Sequence, residues 1–250
     1  MIKSGKNTSY TDSNIIPGIL YEDNDILIAD KPAGMLSLAD STGRESLSAL
    51  IEKYLKKTND DINIYHAPIH RLDRPVSGTM LFAKTPEAAS RLSSDMKNGK
   101  IDKYYFAVVK TIPENSEYTG WKKLDQYYVR RRDRAYIAEH GTPQAAAVSL
   151  HYRILQKQGG YNPVLIKLIT GKRHQIRVQL SSLGMPIAGD RFYGSDEIFE
   201  DEIICLHACR IGFIHPITKK SIIITATFPP HIKERIGDLD LQKILDDLII

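Results

Sequence analysis

One carboxylate lies between two cations in the stretch from His70 to Gly78, whose sequence is His-Arg-Leu-Asp-Arg-Pro-Val-Ser-Gly. Asp73 is flanked by Arg71 and Arg74, in a segment that proline and glycine interrupt just before an apolar run. Because an opposite charge within a few ångströms favours the ionised carboxylate, we expect Asp73 to be charged at neutral pH. Such an aspartate can act as a nucleophile, an electrostatic stabiliser or a weak base. The same pattern is also typical of a structural Asp–Arg ion pair that closes a loop.

A second cationic stretch runs from Thr170 to Arg177, between a predicted strand and a predicted helix. Arg173 and Arg177 are four residues apart, so they share one face of the helix if it begins by Arg173. The amino terminus of a helix attracts anions, and Lys172 adds a further cation there. The stretch therefore predicts an anion site, although a turn with solvated basic side chains has the same composition.

A third basic group is interleaved with aromatic residues. It consists of Arg130, Arg131, Arg132 and Arg134, with Tyr127, Tyr128 and Tyr136 beside them. Basic groups among aromatic rings are typical of a nucleic-acid groove, where cations meet phosphates and rings meet bases. A solvated surface is the alternative. The surrounding segment, Pro113–Gly141, is polar, and we predict that it is irregular, either an insertion or a flexible arm.

Two adjacent tyrosines lie in the run Lys103–Val109, which predicts a strand. Alternation along a strand sends Tyr104 and Tyr105 to opposite faces. One ring can therefore belong to the core while the other faces a cleft, and the pattern alone does not decide which.

Apolar periodicity predicts more strands than helices, with several neighbouring strands joined by short turns. The predicted strands are 19–21, 26–29, 79–83, 104–109, 147–155, 164–169, 203–214 and 221–228. Helices are predicted after a capping box at Thr42–Glu45, from Pro86 with Thr85 as its cap and Gly99 beyond its end, from Ile176 to about Gly184, and in the tail Pro229–Ile250. We therefore predict an α+β fold, with a mixed, largely antiparallel sheet and flanking helices.

The composition is that of a globular protein, with 250 residues, 42% hydrophobic and 26% charged, and a net charge of +4. This balance excludes a disordered chain, a collagen-like repeat and a disulfide-dense miniprotein. No apolar run is long enough to span a membrane, and the polar first residues lack the apolar core of a signal peptide. We take residues 1–18 as a polar lead-in and residues 19–250 as one domain, and we expect a cytoplasmic location.

The sequence gives little support to a metal or cofactor site. Cys205 and Cys209 are the only cysteines, and we expect them to be buried and reduced. Their spacing, with His207 between them, is not a usual zinc pattern. There is no phosphate-binding glycine loop, no dinucleotide motif and no nucleophile elbow. We therefore expect no metal and no cofactor, so that side chains alone carry the chemistry.

The segment HRLDRPVSG resembles the HRLDxxTSG motif of the RluA-type pseudouridine synthases. Five further segments are similar to that family, in order along nearly the whole chain: DILIADKPAGM, KYYFAVV, LITGKRHQIRVQL, GDRFYG and LHACRIGFIHPIT. Any one match is weak, whereas six in order are highly specific. Two residues depart from the pattern, Val76 where threonine is usual and Gln179 where histidine is usual, and both departures concern local packing or substrate contacts.

The resemblance implies an enzyme that isomerises particular uridines in structured RNA, ribosomal or transfer, to pseudouridine without a cofactor. It places the catalytic aspartate at Asp73, an active-site tyrosine at Tyr105 and, at Arg177, a basic residue that pairs with the aspartate. It also implies a mixed α/β catalytic domain on a long antiparallel sheet. The KPAG segment begins at Lys31, which leaves no room for the S4 RNA-binding domain of many members. We expect the catalytic domain alone, as a monomer with no obligate protein partner.

Further cations are expected to contact the RNA substrate, namely Arg71, Arg74, Lys172, Arg173, Arg131 and Arg132. Asp73 would either attack C1′ of the uridine or help to remove a sugar proton along a glycal route, and the sequence leaves both routes open. One rival hypothesis is an RNA-binding protein without catalysis, against which the presence of Asp73, Tyr105 and Arg177 argues. The other is a carboxylate-based hydrolase of a small nucleoside, against which the basic residues argue.

Overall fold

The computed structural model describes residues 18–58, 64–114, 116, 120–237 and 239–246. Its strands are β1 (Gly18–Glu22), β2 (Ile26–Lys31), β3 (Ala67–Pro68), β4 (Ser77–Ala83), β5 (Asp102–Val109), β6 (Lys122–Arg131), β7 (Arg134–Ala138), β8 (Ala146–Ile154), β9 (Asn162–Leu168), β10 (Leu206–Ile214) and β11 (Ser221–Thr225). Its helices are α1 (Leu47–Thr58), α2 (Pro86–Lys97), α3 (Gln175–Ser182), α4 (Pro230–Ile236) and α5 (Leu241–Asp246), with 3-10 turns at Arg191–Tyr193 and Glu200–Glu202. Within the described ranges, no helix is long and apolar enough to cross a membrane.

The strands form one mixed sheet in the order β1-β2-β4-β10-β5-β9-β8-β6-β7, with β3 beside β4 and β11 beside β10. The pairings are antiparallel except that of β4 with β10, in which Ser77 lies opposite His207 and Gly78 opposite Ala208. β4 and β5 follow one another in the chain, yet β10 lies between them. The predicted α+β fold with a mixed, largely antiparallel sheet and flanking helices is therefore confirmed.

Gly78 permits the close approach of β4 to β10. Its φ of +118° lies in a region that residues with a side chain rarely adopt, and a Cβ there would lie 2.3 Å from the carbonyl oxygen of Ala208. The hydroxyl of Thr79 donates a hydrogen bond to that same carbonyl at 3.2 Å. A glycine immediately after Ser77 thus allows the parallel pair to form close to the loop that carries Asp73.

Helices cover both faces of the sheet, because successive residues of a strand point to opposite faces. On one face, Leu27 and Phe82 belong to a core cluster with the buried residues of α1 and with apolar residues of α3, α4 and α5. On the other face, Ile28 and Leu81 belong to a second cluster with the buried residues of α2. The central strands are therefore apolar on both sides, as their near-continuous hydrophobic runs predict.

The start of α2 was predicted correctly and the start of α1 was not. Thr85 caps α2, since its hydroxyl accepts a hydrogen bond from the backbone N–H of Ala88 at 3.2 Å. The capping box at Thr42–Glu45 is wrong, because α1 begins only at Leu47. There the hydroxyl of Ser46 accepts from the N–H of Ala49 at 3.3 Å, while Thr42 lies in an exposed turn. A serine beside the first apolar residue therefore caps the helix in place of the more distant threonine.

The segment predicted to be irregular, Pro113–Gly141, contains a regular hairpin instead. β6 and β7 pair around a two-residue turn at 132–133, with Arg131 opposite Arg134 and Arg132 at a φ of 51°. Tyr128 of β6 and Ala135 of β7 are buried in a small third cluster against Val178 of α3. The hairpin was not predicted because its turn lacks the Asn-Gly or Asp-Gly pair that is typical of two-residue turns.

The tail, predicted as one peripheral helix over Pro229–Ile250, forms two short helices instead. Gly237 ends α4 at a φ of 63°, and α5 follows after it. Leu241 and Leu245 of α5 are buried in the main core cluster, so this part of the tail is not peripheral. Residues 247–250, like nearly all of the lead-in predicted over 1–18, lie outside the described residues.

Candidate active site

The side chains of Ser37 and Lys31 hold the loop that carries Asp73 through hydrogen bonds to its backbone. The hydroxyl of Ser37 donates to the carbonyl of Leu72 at 2.6 Å, and the N–H of Leu72 donates back to that hydroxyl at 3.1 Å. The ammonium of Lys31 donates to the carbonyls of Pro32, Met35 and Arg74, at 2.8, 2.7 and 3.2 Å. The KPAG segment therefore fixes the far side of the Asp73 loop.

Lys31 is a fully buried cation beneath the site. Burial lowers its pKa to about 7, an effect that Arg74 adds to and that the charges of Asp73 and Asp30 oppose. Asp30, its neighbour in β2, has a pKa raised to about 6 because it too is largely removed from water. Three carbonyl oxygens accept hydrogen bonds from the ammonium, which offsets part of the cost of burying its charge.

Arg177 joins Asp73 to a second, more deeply buried carboxylate. Its Nε and Nη2 donate to the two oxygens of Asp190 at 2.7 and 2.8 Å, which is a bidentate pair. Its Nη1 lies 3.4 Å from Oδ2 of Asp73. The side chain of Asp190 is 1% exposed and that of Asp73 is 23% exposed, so the first carboxylate orients the guanidinium and the second remains accessible.

His174 is the other cation-forming group beside Asp73, with Nε2 at 3.5 Å from Oδ2. Its Nδ1 lies 3.0 Å from the hydroxyl of Tyr193, which itself accepts the backbone N–H of Ala135 at 2.9 Å. When the neutral imidazole carries its proton on Nε2, towards Asp73, Nδ1 accepts a hydrogen bond from the Tyr193 hydroxyl. Burial lowers the pKa of His174 to about 4, so the ring is neutral at pH 7.

Tyr105 lies on β5, opposite Ile166 of β9, and its side chain is buried. Burial above all, and then the charges of Asp73 and Cys209, raise the pKa of its phenol well above the ordinary value. Tyr104 is half-buried, with the ammonium of Lys167 at 5.5 Å from its ring centroid. Of the two tyrosines, Tyr105 is thus the one close to the aspartate, as a neutral phenol.

The arginines on either side of Asp73 do not supply its charge partners. Among the described residues, Arg177 forms an ion pair with Asp73, and the neutral ring of His174 lies beside the same carboxylate. Arg71 is exposed, and Arg74 pairs with Glu202. The expectation that the flanking cations hold the carboxylate is therefore wrong, because neither is among its ion-pair partners in the described residues.

The predicted common helix face of Arg173 and Arg177 is also wrong. α3 begins at Gln175, after His174 has adopted a left-handed conformation with a φ of 59°. Lys172 and Arg173 consequently precede the helix and are exposed, whereas Arg177 is buried. The stretch divides into an inner cation that meets carboxylates and two outer cations that face solvent.

The structure brings in three site residues that the sequence did not single out, namely His174, Asp190 and Tyr193. The last two belong to the GDRFYG segment, whose 3-10 turn begins after Asp190. The segment was visible only as a family match, since a lone Asp and Tyr in a turn carry no chemical signal. Their pairing with α3 depends on the tertiary fold.

The two departures from the family pattern lie in packing positions. Val76 is buried in the main apolar cluster. Gln179 is fully buried on α3, where its amide nitrogen donates to the carbonyl of Leu124 at 3.3 Å and to the side chain of Gln126 at 3.2 Å. It accepts from the amide of Gln175 at 2.9 Å. Gln179 therefore ties α3 to β6.

One cluster of the described residues has the composition of a metal site, Asp23, Asp25 and His215. However, Nδ1 of His215 accepts the backbone N–H groups of Ile217 and Thr218 at 3.2 and 3.0 Å. The neutral ring must then carry its proton on Nε2, which lies 3.0 Å from Asp23. No ring lone pair remains for a cation, so this cluster is a polar contact between two turns.

Cys205 and Cys209 are free thiols and fully buried, as predicted. Burial raises the pKa of each thiol to about 12. Since the thiolate is the form that attacks or binds metal, neither cysteine suits such chemistry at neutral pH.

The arrangement around Asp73 suits reaction at a carbon that becomes electron-poor. A partly exposed carboxylate, held from behind by Arg177 and His174, can bond to such a carbon or stabilise its positive charge. The buried phenol of Tyr105 lies near enough for the charge of Asp73 to raise its pKa.

Residues 25–182 match the family model described as RNA pseudouridylate synthase. An RNA pseudouridine synthase of Zymomonas mobilis is 32% identical over 212 residues, 84% of this chain and 93% of that protein. The dual-specificity RNA pseudouridine synthase RluA of Vibrio parahaemolyticus is 32% identical over 92% of this chain and 91% of its own. Human RNA pseudouridylate synthase domain containing 4 shares the fold, with a TM-score of 0.72 at 20% identity over 88% of this chain and 92% of that one. Similarity of this extent, in sequence and in fold, shows that the chain belongs to the RluA-type RNA pseudouridine synthases.

Proposed function

We propose that this RNA pseudouridine synthase acts on uridines in structured ribosomal or transfer RNA, with Asp73 as its catalytic group. The observation that carries the proposal is the meeting of three distant segments: Asp73 lies 3.4 Å from Arg177 and near enough to Tyr105 for its charge to raise the tyrosine pKa. The ribosomal large subunit pseudouridine synthase D of Haemophilus influenzae, 30% identical over 93% of this chain, supports ribosomal RNA as one substrate class.

The isomerisation needs no external reactant, because atoms and electrons balance within the nucleotide. The C1′–N1 bond breaks, the uracil rotates, and a C1′–C5 bond forms, while C5 loses a proton and N1 gains one. Asp73 would either bond to C1′ during this exchange or assist removal of a sugar proton along a glycal route. Both routes require an ionised, accessible carboxylate next to the sugar, and the Asp73 side chain is 23% exposed.

Arg177 and Tyr105 take supporting roles in this proposal. The guanidinium of Arg177, fixed by Asp190, keeps Asp73 oriented, since a planar fork positions a carboxylate better than a point charge does. The raised pKa of Tyr105 favours a neutral ring that stacks on the uracil over a phenolate that removes the C5 proton. The target nucleotide would leave its stack to enter this pocket.

The outer cations are proposed to hold RNA phosphates. Arg71, Lys172 and Arg173 are exposed close in sequence to the Asp73 and His174 loops, and Arg131 and Arg132 are exposed at the tip of the β6–β7 hairpin. A contact from Arg74 would first require its pair with the exposed Glu202 to open.

The experiment that tests the substrate class compares pseudouridine maps of total RNA from cells with and without this gene. We expect one or more uridines of ribosomal or transfer RNA to lose their modification in the deletion strain. Purified protein should restore the same positions in RNA from that strain. A map that does not change, together with no turnover in vitro, would favour the rival hypothesis of an RNA-binding protein without catalysis.

Replacement of Asp73 by asparagine tests its role directly. Asp73→Asn keeps the size and most hydrogen bonding but removes the charge, so we expect turnover to vanish while RNA binding persists. Tritium release from C5-labelled RNA measures the first quantity, and filter binding the second. Tyr54→Phe is a control, since it removes a hydroxyl that donates a hydrogen bond to Glu22 of β1. Appreciable turnover by Asp73→Asn would show that the assignment is wrong.

A further inference from the structure

An aromatic and cationic surface lies beside the site, and we name it the Phe192 platform. It consists of Phe192 in the GDRFYG turn, with Arg134 and Tyr136 on β7. The guanidinium carbon of Arg134 lies 5.2 Å from the ring centroid of Phe192 and 5.6 Å from that of Tyr136. Phe192 and Tyr136 are each 43% exposed, although they are among the larger apolar side chains.

The position of Phe192 contrasts with that of its neighbour. Tyr193 is 3% exposed, and its hydroxyl completes the hydrogen bonds of His174 and Ala135. Phe192 has no place in the apolar core clusters of the described residues. Tyr193 therefore builds the site, whereas Phe192 presents a ring to solvent.

The platform adjoins the catalytic group. The ring of Phe192 stands nearly perpendicular to that of His174, at 82° with centroids 6.0 Å apart, and His174 contacts Asp73. The guanidinium carbon of Arg177 lies 5.9 Å from the same Phe192 ring. One side of Phe192 is thus occupied by site residues, while 43% of its surface stays open to a partner.

We propose that the Phe192 platform stacks an unpaired base that neighbours the target uridine in the RNA. This inference rests on the proposed function, since extrusion of the uridine is what leaves an adjacent base without its stacking partner. Proteins bind splayed RNA bases on aromatic rings and on arginine planes, and the platform offers both. The chemistry suits any base, so the platform adds affinity and position without selecting a sequence.

The cations of the β6–β7 hairpin fall into two groups. Arg131 and Arg132 lie at its turn, whereas the guanidinium of Arg134 lies near the rings of Phe192 and Tyr136. A phosphate contact releases counterions and so depends on salt, whereas a stacked base releases none. The two contributions can therefore be separated experimentally.

The test measures binding of a short single-stranded RNA that carries 2-aminopurine on each side of a central uridine. The parent protein is Asp73→Asn, and it is compared with the same protein carrying Phe192→Ala or Phe192→Trp in addition. We expect Phe192→Ala to weaken binding by about 10-fold with an unchanged salt slope, since one stacked base is lost. The 2-aminopurine fluorescence should be quenched by the parent and by Phe192→Trp, and not by Phe192→Ala. Ile223→Ala, which shortens a still more exposed apolar side chain on β11, should bind and quench like the parent.

Unchanged affinity and quenching in Phe192→Ala would overturn the platform. So would a loss of affinity in which the quenching remains, because Phe192 would then act only through the shape of the site. These measurements need no turnover, so they can fail while the protein still makes pseudouridine. Conversely, absence of pseudouridine formation by the wild type would contradict the proposed function without altering the binding result.

Discussion

At the scale of single residues, Arg177 divides its guanidinium between two carboxylates. Two of its nitrogens donate to the carboxylate of Asp190, which is almost wholly buried. The third donates to the carboxylate of Asp73, which stays accessible. A buried guanidinium needs a full partner, because a lone buried charge is costly. Asp190 meets that need, and this frees Asp73 to react without leaving Arg177 unpaired.

Arg177→Met should slow single-turnover isomerisation by orders of magnitude, with a smaller effect on RNA affinity, because Asp73 loses its orienting cation. It should also lower the free energy of unfolding by roughly 3 kcal/mol or more, because Asp190 is left charged and buried. The double variant Arg177→Met/Asp190→Asn separates the two effects. We expect it to recover much of the stability, measured by urea unfolding, and none of the rate. A variant that loses only affinity would make Arg177 a phosphate contact.

Tyr193→Phe should slow catalysis by about 10-fold, on the order of one lost hydrogen bond in a positioned network. The change leaves Nδ1 of His174 and the N–H of Ala135 without a partner, so the imidazole is no longer held towards Asp73. Single-turnover rates at saturating RNA measure the effect. Tyr161→Phe, which removes a hydroxyl bonded to Glu197, is the control. Equal rates for both variants would mean that the Tyr193 hydroxyl does not position the site.

In this site, local sequence patterns identify one group but not the residues that contact it. Asp73 could be selected from its local sequence, but its partner Arg177 lies 104 residues further along the chain and could be linked to it only by family resemblance. The charges of Arg71 and Arg74 drew attention to Asp73, but neither arginine is among the ion-pair partners that the described residues give it. Local patterns reveal a reactive group, whereas the fold decides which other groups meet it.

At the scale of elements, strands with apolar runs were predicted to within a few residues because burial on both faces leaves a continuous signal. The β6–β7 hairpin was missed because one of its faces is solvated and its turn is made of charged residues. Its buried side is small, with Tyr128 and Ala135 against α3. A strand at the rim of a sheet therefore offers little hydrophobic pattern to read.

The hairpin tip should bind RNA through charge. Arg131→Gln/Arg132→Gln should weaken binding to all RNAs and flatten the dependence of log affinity on log salt, because fewer counterions are released. The rate at saturating RNA should change far less than in Asp73→Asn. Lys53→Gln/Lys56→Gln, two exposed positions of α1, is a charge-matched control. If the double variant kept the parent's affinity and salt slope, these arginines would be solvated surface residues that do not contact RNA.

At the scale of the whole molecule, buried histidines tie stability to pH. The pKa of His207 is lowered to about 3 by burial, and that of His70 to about 4, chiefly by burial. The hydrogen bond that His70 accepts from the N–H of Leu81 also requires a neutral ring. An unfolded histidine has a pKa of about 6.5, so below that pH the unfolded chain binds more protons than the folded one.

Stability from these histidines is therefore fully present above about pH 6.5 and is lost as the pH falls towards 4. We expect each to contribute about 2 kcal/mol of destabilisation between pH 7 and pH 5. Asp30, with its pKa raised to about 6, opposes the trend in the same range. Urea unfolding of wild type and His207→Asn at both pH values measures the difference. A wild-type pH dependence that His207→Asn does not reduce would contradict the assignment.

The insertion of β10 between β4 and β5 has a consequence for the order in which the protein can fold. β4 and β5 are consecutive strands in the chain, but their pairings with β10 cannot form until residues 206–214 have been synthesised and have entered the gap. The halves of the sheet that carry Asp73 and Arg177 are joined by this one late strand. Contacts of such sequence separation make folding slow. The contact of Asp73 with Arg177 should therefore form only after β10 has been synthesised and has paired with both strands.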